Sequence, residues 1–357
     1  MPQDKVDVHA HYIPDVYHDA LVAAGQTRPD GIPRLPEWNE TLALEAMNKL
    51  DIRLAILSIS SPGVYFGDGA TAIDLARAVN ETGAQIARAR PSRFGFFAVL
   101  PLPEVDAAVA ETRYALNTLG AVGISLLTNH HGMYLGDERL EPVFAEVAAR
   151  NSVVFVHPTS PPQTPGGPGF AAPMLEFEFE TTRSITHLVL SGLLRRHPDL
   201  RIIVPHAGAA LAVLAGRVDL FAPVLANTGE GSDVASLREA LKVLHFDLAG
   251  APVEEQLSAL LSVADQSRMH YGSDFPFTPL QGCQYLLQQL QTSRSLDERA
   301  KGAVFEGNTD NLLVPMSSCS TRLPSPGRAR LQRTAPPDDY LQPSSGVVRA
   351  TRSHRPA

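Results

Sequence analysis

Near its N-terminus the chain reads VDVHAH at residues 6–11, and this stretch guides the interpretation of everything that follows. The alternating valines favour a β-strand, on which residues two apart point to the same side. We therefore expect His9 and His11 to point together, with Asp7 below them. Imidazole is the commonest metal ligand in proteins, so the stretch predicts half of a metal site, although two histidines near a terminus can also occur by chance.

Seven further short apolar segments are predicted as buried strands, and segments with helical spacing separate most of them. A strand and a helix repeated eight times imply parallel pairing, and eight strands can close a barrel. The sequence therefore predicts a (β/α)8 (TIM) barrel over residues 1–315. The predicted strands are 6–11, 54–60, 94–100, 121–127, 152–157, 201–206, 243–248 and 269–274, the clearest helices are 41–50, 70–88, 105–119, 140–150 and 177–196, and long loops are predicted at 14–36 and 158–173.

The C-terminal segment 316–357 differs in composition from the rest of the chain. Ser, Pro and Arg dominate it, so it buries too little apolar surface to offset the entropy of ordering and is predicted to be a disordered basic tail. The whole chain carries a net charge of −8, while seven Arg and two Asp give this segment +5, which leaves −13 on residues 1–315. An acidic body without a basic stripe argues against a nucleic-acid partner.

The remaining composition predicts a soluble, cytoplasmic enzyme. No apolar run approaches the roughly 18 residues of a membrane-spanning helix, and the first residues do not have the pattern of a secretory leader. The two cysteines, Cys283 and Cys319, are far apart and give no disulfide framework, which suits a reducing compartment.

Polar residues with metal-binding side chains end several of the predicted strands. In a (β/α)8 barrel the functional site lies at the C-terminal ends of the strands, and five candidates stand there: His9, His11, His157, His206 and Asp274. Taken singly, a histidine could be satisfied by a loop carbonyl and Asp274 could cap a helix. Their joint placement predicts a metal site. Seven other histidines lack this placement and are assigned no role: His18, His130, His131, His187, His197, His245 and His270.

Four motifs in this order resemble the amidohydrolase superfamily, and more narrowly its branch typified by aminocarboxymuconate semialdehyde decarboxylase. They are VDVHAH at 6–11, VFVHP at 154–158, PHAG at 205–208 and YGSDFP at 271–276. The phrases FGFF at 94–97, YLG at 134–136 and VFVHPT at 154–159 are similar to the 6-methylsalicylate decarboxylases of that branch. The resemblance implies that His9, His11, His157 and Asp274 bind one divalent metal ion, while His206 approaches the metal-bound water. The proton donor is then either His206 with that water or Asp274.

Three imidazoles and one carboxylate suit Zn²⁺ or Mn²⁺ and leave a coordination position open. One ion is favoured over two, because binuclear members of the superfamily use a lysine at the end of strand four or five. None of the four lysines of this chain is near either end: they are Lys5, Lys49, Lys242 and Lys301. No organic cofactor is expected.

A carboxylated substrate needs a cation. Arg217 lies eleven residues after His206, and in the decarboxylase branch the similar arginine reaches a substrate carboxylate across a dimer interface, so the resemblance implies a homodimer. Otherwise Arg217 is an ordinary surface residue. Trp38, Met174 and Phe177 are candidates to line an aromatic ring, although each could simply pack.

The leading hypothesis is metal-dependent, nonoxidative decarboxylation of a small aromatic, salicylate-like or unsaturated carboxylic acid. The alternative is hydrolysis or hydration of a small lactone, amide or unsaturated acid at nearly the same site. A third possibility is a noncatalytic binding protein that keeps the ligands for stability, but buried ligands at an open site are costly to keep without a use.

Overall fold

Eight parallel strands, each hydrogen-bonded to the next along the chain, form the centre of the computed structural model, which describes residues 4–162, 169–225, 234–250 and 254–313. Backbone hydrogen bonds continue from the first strand to the segment after the last one: Val8 N–H donates to Tyr271 O at 3.0 Å and Asp274 N–H to His9 O at 2.7 Å. The predicted barrel is confirmed. Its strands are β1 (Lys5–His11), β2 (Ile52–Ser58), β3 (Phe94–Val99), β4 (Gly123–Leu127), β5 (Val153–His157), β6 (Arg201–Val204), β7 (His245–Asp247) and β8 (Met269–His270).

Helices connect the strands, and side-chain caps set where several of them begin. Asn39 accepts a hydrogen bond from Leu42 N–H ahead of the second helix, and Asp68 accepts one from Thr71 N–H ahead of the third. The described helices are α1 (Asp15–Ala23), α2 (Glu40–Leu50), α3 (Gly69–Ala89), α4 (Val105–Tyr114), α5 (Glu141–Ala148), α6 (Glu176–Leu190), α7 (Leu193–Arg196), α8 (Leu211–Leu225), α9 (Leu237–Leu241), α10 (Glu254–Leu261), α11 (Leu280–Thr292), α12 (Glu298–Gly302) and α13 (Asn308–Leu313).

Large side chains fill the inside of the barrel and support the site from below. Val8, Ile56, Phe97, Phe155 and Ile203 belong to one buried cluster contributed by five strands. The rings of Phe97 and Phe155 stack with centroids 5.2 Å apart, and the ring of His9 meets Phe155 edge-on at 4.9 Å. The floor under His9 is therefore close-packed, which limits how far that imidazole can move.

The predicted loop at residues 14–36 contains a helix, α1. Pro14 does not prevent it, because a proline before the first helical residue leaves no intrahelical hydrogen bond unmade. Tyr17 and Leu21, one turn apart, are both buried on the face of α1 that meets the barrel. The predicted helix at 177–196 is divided into two helices, α6 and α7, because Gly192 between them adopts a left-handed φ of 78°.

The two strands that precede His206 and Asp274 end earlier than predicted, so both residues lie beyond the strand ends. Strand β6 ends at Val204, since Pro205 has no N–H for the ladder and His206 has a φ of 54°. Strand β8 ends at His270, and Asp274 follows with a φ of 59°.

The predicted tail at 316–357 lies outside the described residues. Among the described residues, no helix combines the length and apolarity needed to cross a membrane.

Candidate metal centre

Four predicted ligands meet at the C-terminal end of the barrel. His9 and His11 come from β1, His157 is the last residue of β5, and Asp274 follows β8. One ligand atom from each lies within 4.8 Å of all the others. The Nε2 atoms of His9 and His11 are 3.1 Å apart, and Asp274 Oδ1 is 3.2 Å from His11 Nε2. The structure thus brings together four of the residues that were predicted, from their places at strand ends, to form a metal site.

The outer nitrogen of each imidazole faces a hydrogen-bond acceptor. His9 Nδ1 is 3.0 Å from Asp247 Oδ2, His11 Nδ1 is 3.2 Å from Ser58 O, and His157 Nδ1 is 2.7 Å from Pro158 O. These contacts favour protonation at Nδ1, which leaves the three Nε2 lone pairs directed at one point. Such a convergence of lone pairs with a carboxylate is unfavourable without a cation between them, so the donor set fits a divalent metal ion.

Two hydrogen bonds orient Asp274, one made by its backbone N–H and one made by its carboxylate. Its N–H donates to His9 O at 2.7 Å, and Thr278 Oγ1 donates to its Oδ2 at 2.9 Å. The second carboxylate oxygen is therefore occupied, and Oδ1 is the one that faces His9 and His11. A non-glycine residue rarely takes a positive φ, and here the strained turn places the carboxylate where the histidines converge.

Sequence reasoning missed Asp247, which links His9, one of the candidate metal ligands, to His206. It is fully buried in β7, and besides His9 Nδ1 it accepts from the backbone N–H of His206 at 3.2 Å and of Ala249 at 3.0 Å. A signal was present: in the predicted strand 243–248, Asp247 stands between Phe246 and Leu248, and the only other polar residue is His245. A carboxylate in such a strand needs buried partners, which only the folded barrel reveals.

We expect Asp247→Asn to weaken metal binding by about 10- to 100-fold, the usual cost of losing a group that orients a metal ligand. The amide can present its NH2 group to His9 Nδ1 and so favour the wrong tautomer. Titration of metal-free protein with Zn²⁺ and Mn²⁺ measures the change. Asp199→Asn, the same substitution at an exposed position, is the control and should bind normally; an unchanged affinity in Asp247→Asn would show that this contact is dispensable.

His206 stands beside the four ligands without joining them. It begins a 3₁₀ turn, His206–Gly208, and its ring centroid is 5.2 Å from that of His9. Burial lowers the pKa of His206 to about 4, so the imidazole is neutral at pH 7. The ring is free to act as a base toward a group in the pocket.

A cavity of about 580 Å³ opens above the ligands. Its wall includes the aromatic rings of Phe177 and Phe277, and Phe177 lies 6.1 Å from His157 by ring centroids. Among the described residues of this wall, Arg34 is the only arginine or lysine. Sequence reasoning missed Arg34, Glu178 and Phe277, because none of them ends a strand.

The other predicted substrate-binding residues, Trp38, Met174 and Arg217, do not line this pocket in the isolated chain. Trp38 packs edge-on against Tyr12, with centroids 6.0 Å apart, and lines a different cavity, because it precedes α2 on the outer side of the barrel. Met174 is 74% exposed in the turn before α6. Arg217 is exposed on α8, where its guanidinium lies 4.9 Å from the Phe221 ring. Of the four, only Phe177 lines the pocket.

Comparison with known proteins agrees with both the fold and the motifs. The amidohydrolase family model matches residues 6–313. The chain is 38% identical over 283 residues to a 6-methylsalicylic acid decarboxylase of Aspergillus aculeatus, covering 77% of this chain and 85% of that protein. A 6-methylsalicylic acid decarboxylase of Penicillium expansum is 35% identical over 280 residues, covering 77% and 86%.

A solved structure shares the whole barrel. A crystal structure of an amidohydrolase II superposes with a TM-score of 0.82 at 35% identity, covering 87% of this chain and 99% of the other. The resemblance stated from the motifs is confirmed, and the curated relatives that carry it are decarboxylases. Matched along its barrel by sequence and by structure, the chain belongs to the amidohydrolase family.

Proposed function

We propose that this protein is a metal-dependent, nonoxidative decarboxylase of a small aromatic acid with a ring hydroxyl, as in a salicylate. The observation that carries the proposal is the buried His206, which stands beside a cluster of three histidines and one carboxylate at the floor of a pocket walled by phenylalanines. The names of the relatives favour decarboxylation over the hydrolysis or hydration that the motifs alone leave open.

His9, His11, His157 and Asp274 would hold one divalent ion, and the nitrogen-rich ligand set suits Zn²⁺ or Mn²⁺. When bound, the ion supplies positive charge that binds and polarises substrate oxygens. A single ion is proposed because no lysine is among the described residues that line the pocket.

The pocket residues have separable tasks in this reaction. Phe177 and Phe277 hold the ring, and Arg34 offers two parallel N–H donors to a carboxylate or phenolate. The bond between the ring carbon and the carboxylate breaks, CO2 leaves, and the ring carbon gains one proton. At pH 7 the imidazole of His206 is neutral and the carboxylate of Asp274 is ionised, so either residue first takes a proton from solvent and then delivers it to the ring carbon. Exclusion of water by the phenylalanines keeps the charge on the substrate poorly screened, which strengthens each of these interactions.

A homodimer is proposed from the exposed face of α8. Val213, Arg217, Leu220 and Val224 follow one another at helical spacing, and the three apolar residues are 71%, 70% and 80% exposed. An apolar stripe of this kind is normally covered by a partner. A second copy of the chain would cover it and bring Arg217 toward the partner's pocket, where its guanidinium would grip the substrate carboxylate.

The role of Arg217 can be tested by mixing two variants, each of which lacks a different part of the proposed site. We expect Arg217→Ala to lose about 10- to 100-fold in kcat/KM, the worth of a charged hydrogen bond. If Arg217 acts across the interface, co-refolding Arg217→Ala with His206→Asn chains restores about a quarter of the wild-type activity, since half the dimers are mixed and each has one complete site. No recovery in a mixture shown by light scattering to be dimeric would mean that Arg217 does not act across the interface.

A cytoplasmic location is proposed as well. Cys283 is buried and free, as is usual for proteins of a reducing compartment.

Release of CO2 tests the proposed function. The metal-free protein is loaded with Zn²⁺ or Mn²⁺ and incubated with salicylates and resorcylates, with lactones as the competing substrate class. CO2 from at least one hydroxybenzoate, dependent on added metal, supports the proposal. Turnover of a lactone with no CO2 from any acid would replace it with the hydrolase alternative.

A further inference from the structure

The side chain of His206 has one nitrogen without a partner. His206 Nδ1 is buried and makes no hydrogen bond. A buried polar atom left unpaired is destabilising, so its presence in a folded protein calls for a functional reason. The carboxylate of Glu178 in α6 lies opposite, with its Oε1 at 3.8 Å from His206 Nδ1. That distance is too long for a hydrogen bond and short enough for one rotamer adjustment to close.

Gln256 in α10 connects these two residues. Its Nε2 donates to His206 O at 2.9 Å, and its side chain is also hydrogen-bonded to Glu178. The turn after β6, helix α6 and helix α10 therefore meet at one small polar cluster, made of His206, Glu178 and Gln256. Glu178 also lines the pocket above the metal ligands. The cluster therefore connects Glu178, which lines the substrate pocket, with His206, the proposed proton-transfer residue.

We propose that Glu178 is a positioning residue, which accepts a hydrogen bond from His206 Nδ1–H and so leaves Nε2 as the nitrogen that exchanges protons with the substrate. The inference rests on the proposed function, in which His206 transfers a proton. Hydrogen bonds of this kind are often long in a free enzyme and tighten when substrate binds. The acceptor on one nitrogen of an imidazole decides which nitrogen carries the proton.

The electrostatic setting of Glu178 agrees with this role. Burial, and to a smaller extent the nearby charge of Asp247, raise the pKa of Glu178 to about 7. An ionised Glu178 in this position needs a donor, and the unpaired Nδ1–H of His206 offers one. The contact satisfies both groups at once: it pairs the buried nitrogen and stabilises the carboxylate.

The test compares Glu178→Gln with Glu176→Gln in metal-loaded, full-length protein. Glu176 is on the same helix and outside the pocket wall. We expect Glu178→Gln to keep its metal and its KM while kcat falls about 10- to 100-fold, the usual cost of losing an orienting partner, and Glu176→Gln to behave as wild type. A raised KM with unchanged kcat would mean that Glu178 binds substrate instead, and loss of the fold or the metal would mean a structural role; either contradicts the proposal.

A double-mutant cycle shows whether Glu178 acts through His206. If it does, Glu178→Gln has no further effect on kcat in the His206→Asn background, whereas an independent role lowers kcat by the same factor in both backgrounds. Imidazole ¹⁵N spectra of the Zn²⁺-loaded protein, with His206→Asn to assign the signal, add a readout without turnover. We expect His206 to carry its proton on Nδ1 and Glu178→Gln to lower that population. An unchanged tautomer refutes this inference even if CO2 is released, while absence of CO2 in wild type refutes the proposed function.

Discussion

His206→Asn should keep its metal ion and lose about 10²- to 10⁴-fold in turnover, the usual worth of a positioned acid or base. His9, His11, His157 and Asp274 form a cluster that could hold the ion without His206, so we expect that removing His206 takes no ligand from it. Asparagine fits the space and cannot exchange a proton at neutral pH. The backbone N–H of residue 206 still donates to Asp247, as it does at 3.2 Å in the native chain, so the turn should survive.

Metal content and kcat, measured on the same preparation, decide this prediction. A His206→Asn protein that has lost its ion would mean that His206 is a ligand and that the assignment is wrong. A protein that keeps both its ion and its turnover would mean that Asp274 or another group moves the proton alone.

His157→Ala should lose most of its metal and, with it, nearly all activity. Wild type should hold about one ion per chain, and an open site with only His9, His11 and Asp274 left has too few ligands to keep it firmly. The substitution also removes the imidazole that is anchored to Pro158 O at 2.7 Å. His18→Ala, at an exposed position on α1, is the matched control and should retain the ion.

Elemental analysis after removal of loosely bound metal measures the effect. Two ions per wild-type chain at full occupancy would contradict the single-ion site. Retention of a full ion by His157→Ala would mean that the four residues do not act as its ligand set.

The sequence was sufficient for the barrel and for the ligand cluster because both depend on local patterns. Apolar segments of strand length alternate with helical ones, and three histidines stand where β1 and β5 approach their C-terminal ends. Parallel strands bring these ends to one face of a barrel. The sequence alone was therefore enough to predict that His9, His11 and His157 lie close together. Asp274 was identified as the end of the predicted strand 269–274 and by its motif, although the observed strand β8 ends four residues earlier.

The residues that escaped prediction act through contacts between elements distant in sequence. Asp247 reaches His9 across 238 positions, and Glu178 meets His206 only because α6 packs beside the turn after β6. Arg34 lies in a segment predicted as an irregular loop, where no periodicity indicates which side chain faces the pocket. The positive φ values of His206 and Asp274 were also unpredictable, since non-glycine residues seldom adopt them.

The most direct test of the central claim is to follow the carboxylate carbon and the proton together. A hydroxybenzoate labelled with ¹³C in its carboxylate is incubated with metal-loaded protein in D2O, and the product is analysed by NMR and mass spectrometry. The account predicts that the label appears in CO2 and that the product carries one deuterium on the carbon that held the carboxylate. A product that keeps the labelled carbon, or that has gained the elements of water, would contradict it.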